Sequence, residues 1–227
     1  KIKNFLMNPG DLSLVAVSEK LLKPEGPTLG NFKFTGYLRW QSEEDSALEQ
    51  QLEAFCEADR LPILTFGSVS FDKTEALMRR LCRRWPAGKK LILQAGWAGL
   101  ASFEDRPEIL VVGKVSHDQL FRHGSVIIHH GGAGTTASAL HAGVPQIIVP
   151  HFGDQFLWAR EVRRLSAGIR IRRRRWPERL PPAVTFVEDS PVMQGKARKL
   201  AAVLAAENGP GNAVRALESL LATSVKQ

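Results

Sequence analysis

The residues best suited to chemistry lie between Val126 and Thr136. An apolar run ends in His129 and His130, and three glycines and one alanine then lead to Thr135 and Thr136. This pattern is typical of a strand that turns tightly into a helix, whose first N–H groups and dipole attract an anion. Glycines keep side chains out of the way, while an imidazole and a hydroxyl add hydrogen-bond donors. The segment therefore predicts a phosphate or diphosphate site.

A carboxylate and an amide follow in adjacent positions, Asp154 and Gln155. Together they can accept hydrogen bonds from several sugar hydroxyls and donate to others. Asp154 could instead cap a helix, for which Asp is a favoured residue, whereas Gln155 has less structural reason to be there. With the anion site, the pair favours a nucleotide sugar as the ligand.

From residue 61 onward, short apolar strands alternate with amphipathic helices, which predicts an α/β fold with a parallel, doubly wound, Rossmann-like sheet. Ligands of such sheets bind at the carboxyl ends of the strands. Less regular strands are expected at 12–17 and 32–37, and an exposed amphipathic helix at 43–55. The main strands are predicted at 61–66, 91–94, 109–112, 125–128, 146–149 and 168–171, and the main helices at 71–84, 133–142, 154–165, 191–206 and 213–221.

Composition narrows the class of protein. The 227 residues carry a formal net charge of +8 and two cysteines without metal-ligand spacing, so we expect free thiols in a reducing, cytoplasmic compartment. We expect neither a signal peptide nor a membrane span, and at most peripheral membrane contact. Nine arginines lie between Arg160 and Arg179, with a run at 172–175 that could face phosphates, acidic lipids or only solvent.

Four blocks occur in a recognisable order, at 112–121, 129–136, 142–145 and 149–155. They resemble the donor-site signature of inverting GT-B-fold glycosyltransferases. The UDP-glycosyltransferase superfamily is the most similar, with its sterol-glucosyltransferase-like and bacterial antibiotic- or rhamnosyltransferase-like members. The resemblance implies a lead-in segment at 1–30 and a donor-binding domain at 31–227, without the N-terminal acceptor domain that normally carries the general base.

The resemblance also implies roles for individual residues. His130 would stabilise the diphosphate as it leaves, whereas strand alternation makes a structural role for His129 as plausible as a functional one. Gln119 stands where sterol-type members usually have Trp. No metal and no tightly bound cofactor are expected. The residues implied in donor binding are Ser68, Trp97, Val115, His117, Gly132, Gly134, Thr135, Asp154 and Gln155.

The expected function is transfer of a hexose from a UDP- or dTDP-sugar to a hydroxyl of a small, lipophilic acceptor. This chain would be inactive without an N-terminal acceptor-binding domain or subunit as its partner. Two alternatives stay open: a non-catalytic nucleotide-sugar-binding subunit, and half of a nucleotide-sugar epimerase. Nucleic-acid binding would rest on charge alone, and we do not expect it.

Overall fold

The computed structural model describes residues 12–22, 32–39, 43–65, 74–94 and 106–224. The chain divides into two compact units, one formed by residues 1–41 with 203–227 and the other by residues 42–202. The domain boundary predicted at residue 30 lies outside the described residues, so it stays a prediction.

The larger unit is built on a sheet of six parallel strands in the order β5-β4-β3-β6-β7-β8. The chain therefore starts at the middle of the sheet, runs to one edge, and returns to the middle to build the other half. In this strand order the central pair, β3 and β6, is the point at which a crevice opens at the carboxyl ends. The strands are β3 (Leu61–Thr65), β4 (Leu91–Gln94), β5 (Ile109–Val112), β6 (Gly124–His129), β7 (Gln146–Ile148) and β8 (Gly168–Arg170).

Apolar clusters cover both faces of this sheet. Neighbouring residues of one strand point to opposite faces, so Ile63 and Ile127 belong to one cluster while Leu64 and Ile128 belong to the other. All four are fully buried. Continuous apolar strands are needed because neither face meets water. The predicted α/β fold with a doubly wound parallel sheet is confirmed.

Helices pack on the two faces, and most begin and end close to the predicted residues. Gly143 ends helix α4 (Ala133–His141), because it adopts a left-handed backbone with φ of 68°. The predicted exposed helix at 43–55 is α1, whose buried Leu48, Leu52 and Cys56 face the core. The helices of the larger unit are α1 (Ser46–Cys56), α2 (Thr74–Arg84), α3 (His117–Leu120), α4 (Ala133–His141), α5 (Gln155–Arg164) and α6 (Trp176–Glu188), and α7 (Pro191–Ala205) begins in this unit and ends just past its boundary at residue 202.

Helix α6 was not expected from the sequence, since it follows the arginine run and contains Pro181 and Pro182. Proline removes an N–H donor and usually argues against a helix interior. Here burial outweighs that cost, because Trp176, Leu180 and Val184 lie along one side of the helix and join the core.

The smaller unit contains a parallel pair of strands, β1 (Ser13–Val15) and β2 (Phe32–Phe34), and helix α8 (Gly209–Ser224). The last predicted helix thus begins earlier than residue 213, because the Asn208 side chain accepts a hydrogen bond from the Gly211 N–H at 3.0 Å. Asn212 ties α8 to the strand region by donating to the Thr35 carbonyl at 2.8 Å.

No helix in the described part of the chain is both long and apolar enough to cross a lipid bilayer.

Candidate functional site

The anion loop, residues 130–132, connects the end of β6 to the start of α4. Gly132 occupies the N-cap position, and no side chain caps the helix. The first helical N–H bond is from Thr136 to the Gly132 carbonyl at 2.9 Å, so the N–H groups of residues 133–135 have no partner within the helix. Gly134 is exposed, with open space where a Cβ would lie. The helix therefore presents free donors and its positive pole at one place.

His130 lies against this helix start. Its side chain is only 8% exposed, and its buried Nδ1 has no hydrogen-bond partner among the described residues. A Cβ on Gly132 would approach the His130 Nε2 to 2.6 Å, so only glycine leaves room for the ring. Burial lowers the pKa of His130 below its ordinary value, and the Asp154 charge acts in the opposite direction. An anion would supply the missing partner and favour the protonated ring.

The two threonines of α4 differ in their hydroxyl groups. Thr136 is fully buried and donates to the Gly132 carbonyl at 2.9 Å, which is a local structural bond. Thr135 is 9% exposed, and the described part of the chain offers its hydroxyl no partner. Thr135 is therefore the threonine that can contact a ligand.

The His129 side chain lies in the core, on the inner side of the anion loop. It is fully buried, with its Nε2 at 2.8 Å from the Gln146 Oε1 and its Nδ1 at 3.1 Å from the Gly131 N. Burial lowers the pKa of His129 to about 3, so the ring is neutral at ordinary pH. Of the two roles left open by the sequence, the contacts support the structural one.

Val115 and His117 share a partner that sequence reasoning missed. Gln94, the last residue of β4, donates from Nε2 to the Val115 carbonyl at 3.0 Å, and its Oε1 lies 3.2 Å from the His117 Nε2. The His117 ring also stacks on Phe121, with centroids 4.6 Å apart. A polar residue that ends an apolar strand at the ligand edge is the signal that could have found Gln94. The Val115 carbonyl is thus already engaged, which leaves other groups of this loop for a ligand.

Asp154 and Gln155 lie at the start of α5 and have different surroundings. Asp154 is exposed, makes no capping hydrogen bond, and accepts from the Trp158 Nε1 at 2.9 Å. Gln155 is 3% exposed, and its Oε1 accepts from the backbone N–H groups of His151 and Phe152 at 2.7 and 3.2 Å. Gln155 therefore has a clear structural task, contrary to the sequence interpretation, and Asp154 retains free carboxylate capacity.

Positive charge continues along the same edge of the sheet. The sequence places His151 just after β7 without giving it a role. Burial is the main cause that lowers the pKa of His151 to about 4, followed by the charges of Arg173 and His130. Arg173, a member of the arginine run, therefore lowers the pKa of His151, on which His130 of the anion loop also acts.

Not every predicted residue can be placed. Ser68 and Trp97 lie outside the described residues, whereas Val115, His117, His130, Gly132, Gly134, Thr135, Asp154 and Gln155 all lie at or just beyond the carboxyl ends of strands. Across the described ranges, no group of three or more His, Cys, Asp and Glu side chains could hold a metal ion.

Comparison with known proteins gives a family match over half of the chain. Residues 100–220 match the family described as erythromycin biosynthesis protein CIII-like, C-terminal domain. Glycosyltransferase GtfE of Amycolatopsis orientalis is 37% identical over 153 residues, which are 67% of this chain and 37% of GtfE. UDP-sugar-dependent glycosyltransferase 52 of Dictyostelium discoideum is 29% identical over 86% of this chain and 14% of its own length. A sterol 3-beta-glucosyltransferase of Candida albicans is 31% identical over 70% of this chain and 12% of its own length.

Solved structures agree on the fold. The glycotransferase of kitacinnamycin superposes with a TM-score of 0.76 at 22% identity, covering 92% of this chain and 55% of that one. The calicheamicin glycosyltransferase CalG4 gives 0.74 at 18% identity, covering 98% and 57%. At these identities the likeness concerns the fold alone, which is that of GT-B glycosyltransferases. The chain spans little more than half of these structures and about a third of GtfE.

Proposed function

The chain belongs to the family of erythromycin biosynthesis protein CIII-like C-terminal domains, and from this premise we propose that it binds the nucleotide-sugar donor of a glycosyltransferase. The proposal assigns donor binding to residues 31–227. It assigns the acceptor pocket and the general base to an N-terminal domain or subunit that acts with this chain, so the chain alone would be inactive.

The observation that carries the proposal is the uncapped start of α4. The N–H groups of residues 133–135 have no helical partners there, and the region also contains His130, whose Nδ1 is unpartnered, and the hydroxyl of Thr135. An uncapped helix start leaves such donors to water or to an anionic ligand. A diphosphate has enough acceptor oxygens to satisfy the whole set.

The proposed mechanism uses these donors at the leaving group. An acceptor hydroxyl oxygen forms a bond to the anomeric carbon while the bond from that carbon to the diphosphate oxygen breaks, and the configuration inverts. The hydroxyl proton goes to the base of the partner half. Negative charge grows on the leaving diphosphate, where His130 and the α4 N–H groups stabilise it without rearrangement. Asp154 would accept hydrogen bonds from sugar hydroxyls.

The names of two relatives guide the choice of the proposed donor and acceptor. One is named for its dependence on UDP-sugars and another for glucosyl transfer to a sterol, so we propose a hexose carried by UDP, or by dTDP, and a small lipophilic acceptor.

Calorimetric titration of the chain with UDP, dTDP and GDP tests the proposal. We expect UDP or dTDP to bind, and His130→Ala to weaken that binding by about tenfold or more, because a hydrogen bond to a charged group is lost. His123→Ala is the matched control, since His123 pairs with Glu49 at 2.9 Å. Absence of binding to all three nucleotides at millimolar concentration would overturn the proposal.

A further inference from the structure

The fully buried His129 ring has a partner at both nitrogens. The Gly131 N–H donates to Nδ1 at 3.1 Å, so Nδ1 carries no proton. Nε2 must then carry the proton, which it donates to the Gln146 Oε1 at 2.8 Å. The contacts therefore assign one tautomer, and His129 connects the anion loop to strand β7.

Among the residues of the anion loop, Gly131 has the backbone conformation that most needs a hydrogen bond to keep it in place. Its φ of 95° is open to glycine and strained for other residues. A Cβ there would meet the Ile148 Cγ2 at 2.7 Å, so the backbone turns directly against β7. Because the residues on either side are His130 and Gly132, the orientation of this one peptide decides where the His130 ring and the start of α4 point.

The partner Gln146 is itself rigidly placed. It is fully buried in β7, and its backbone pairs with both β6 and β8. A second bond, from its Nε2 to the Thr136 carbonyl, is long at 3.5 Å. A side chain on a strand that is paired on both sides thus fixes the imidazole, and the imidazole holds the Gly131 N–H.

From these contacts we infer that His129 is a positioning residue for diphosphate binding, which acts by holding the Gly131 N–H in the anion loop. The inference rests on the proposed function. It assigns the effect to one of the two His129 bonds: the bond to Gly131 shapes the site, whereas the bond to Gln146 anchors the ring.

Protonation would reverse this arrangement. A charged ring would place an N–H on Nδ1 opposite the Gly131 N–H, where two donors face each other. The groups that bear on the ring are Gln146, which accepts from it, and the imidazoles of His130 and His117, whose charges would oppose its protonation. Burial keeps the pKa of His129 far below neutrality, so the loop geometry is independent of pH in the neutral range.

Two substitutions of His129 each reproduce only one of its two hydrogen bonds, and so separate the effects of these bonds. In His129→Asn the side-chain oxygen can occupy the place of Nδ1 and accept from Gly131, whereas in His129→Gln the longer side chain can reach Gln146 but offers Gly131 nothing. The affinities of both variants for UDP and for inorganic diphosphate are measured by calorimetry, below the unfolding temperature of each variant, with His123→Ala as control.

We expect the affinity of His129→Asn to stay within about threefold of the wild-type value. We expect the affinity of His129→Gln to fall about tenfold, because this variant loses the one hydrogen bond that orients the donors for the charged ligand. Equal losses in the two variants would overturn the inference, because that is the result of a merely structural role. If the wild-type chain binds neither UDP nor inorganic diphosphate, the proposed function itself fails.

A measurement on the wild-type chain covers the case in which a variant does not fold. A bond from the Gly131 N–H to the His129 Nδ1 transmits a nitrogen–nitrogen scalar coupling that NMR detects. We expect this coupling with and without UDP. Its absence in both states would overturn the inference.

Discussion

At the scale of single residues, the adjacent threonines of α4 provide a matched pair. Thr135→Val removes a hydroxyl without a protein partner among the described residues, so we expect UDP affinity to fall about five- to tenfold with little change in stability. Thr136→Val removes the bond to the Gly132 carbonyl, so we expect a loss of about 1 kcal/mol in unfolding free energy. Calorimetry and urea unfolding of both variants check this. Reversed effects would contradict the assignment of the two hydroxyls.

His129 also makes stability depend on pH. Its folded pKa of about 3 lies below the ordinary histidine value of 6.5, so between these values an unfolded chain binds a proton that the folded chain does not. Stability from this residue is complete above about pH 6.5 and falls with decreasing pH by about 1.4 kcal/mol per unit. Urea unfolding between pH 7 and 4.5 should show a shallower decrease in His129→Asn than in the wild type. Parallel curves would show that His129 titrates alike in both states.

Sequence reasoning reached the residues whose role depends on local spacing. The donors of His130, Gly132 and Thr135 follow from a strand, a glycine turn and a helix start that are consecutive in the chain. Gln94 was different, because its amide takes part in contacts that only the folded chain brings together, whereas the Gln155 amide accepts from backbone N–H groups a few residues earlier in the chain. The partners of Gln94 are Val115 and His117, which follow the neighbouring strand β5. The sequence can therefore mark Gln94 as a polar residue at a strand end, but it cannot identify these partners.

At the scale of elements, α7 contains a glycine that its packing does not require. Gly195 lies inside the helix, and a Cβ there would meet nothing within 4 Å. Gly195→Ala should raise the unfolding free energy by about 0.5–1 kcal/mol, because alanine loses less backbone entropy on folding. Gly168→Ala is the contrasting variant, since its Cβ would lie 2.1 Å from the Gln146 carbonyl oxygen. We expect it to cost about 2 kcal/mol or more. Thermal unfolding measures the stability of both variants. A Gly168→Ala variant as stable as Gly195→Ala, or more stable, would contradict the prediction.

Strand positions were predictable because burial on both faces requires uninterrupted apolar runs, and β4 and β5 begin and end at the predicted residues. Helix α6 was missed because its signal is non-local. Its buried side packs against residues of distant strands and of α2, and that burial overrides the local effect of Pro181 and Pro182.

At the scale of the whole molecule, part of the net charge of +8 is concentrated in one exposed run of arginines. Arg172, Arg173, Arg174 and Arg175 are all exposed, and no carboxylate in the described ranges pairs with them. The double change Arg172→Gln/Arg174→Gln should leave stability within about 0.5 kcal/mol. It should also lower the salt concentration at which the chain leaves a heparin column, because fewer counterions are released.

The control for this prediction removes the same charge elsewhere, at Arg60 and Arg215, which are also exposed and have no neighbouring Lys or Arg in the sequence. We expect a smaller shift for that pair, because isolated charges contribute less to a local field than a cluster does. Equal shifts in the eluting salt concentration would mean that heparin binding depends only on the net charge and that the clustering of the arginines has no added effect.

The strand order has a consequence for the order of events during synthesis. Strand β3 can pair with β4 as soon as the segment Leu91–Gln94 has emerged, but its other neighbour, β6, ends at His129. The half of the sheet that contains β3, β4 and β5 can therefore form early, with one side of β3 still unpaired. Closing a long loop is slow compared with local pairing, so the central seam of the sheet should form late. The crevice at that seam would therefore take shape on the ribosome only after the first half of the sheet has formed.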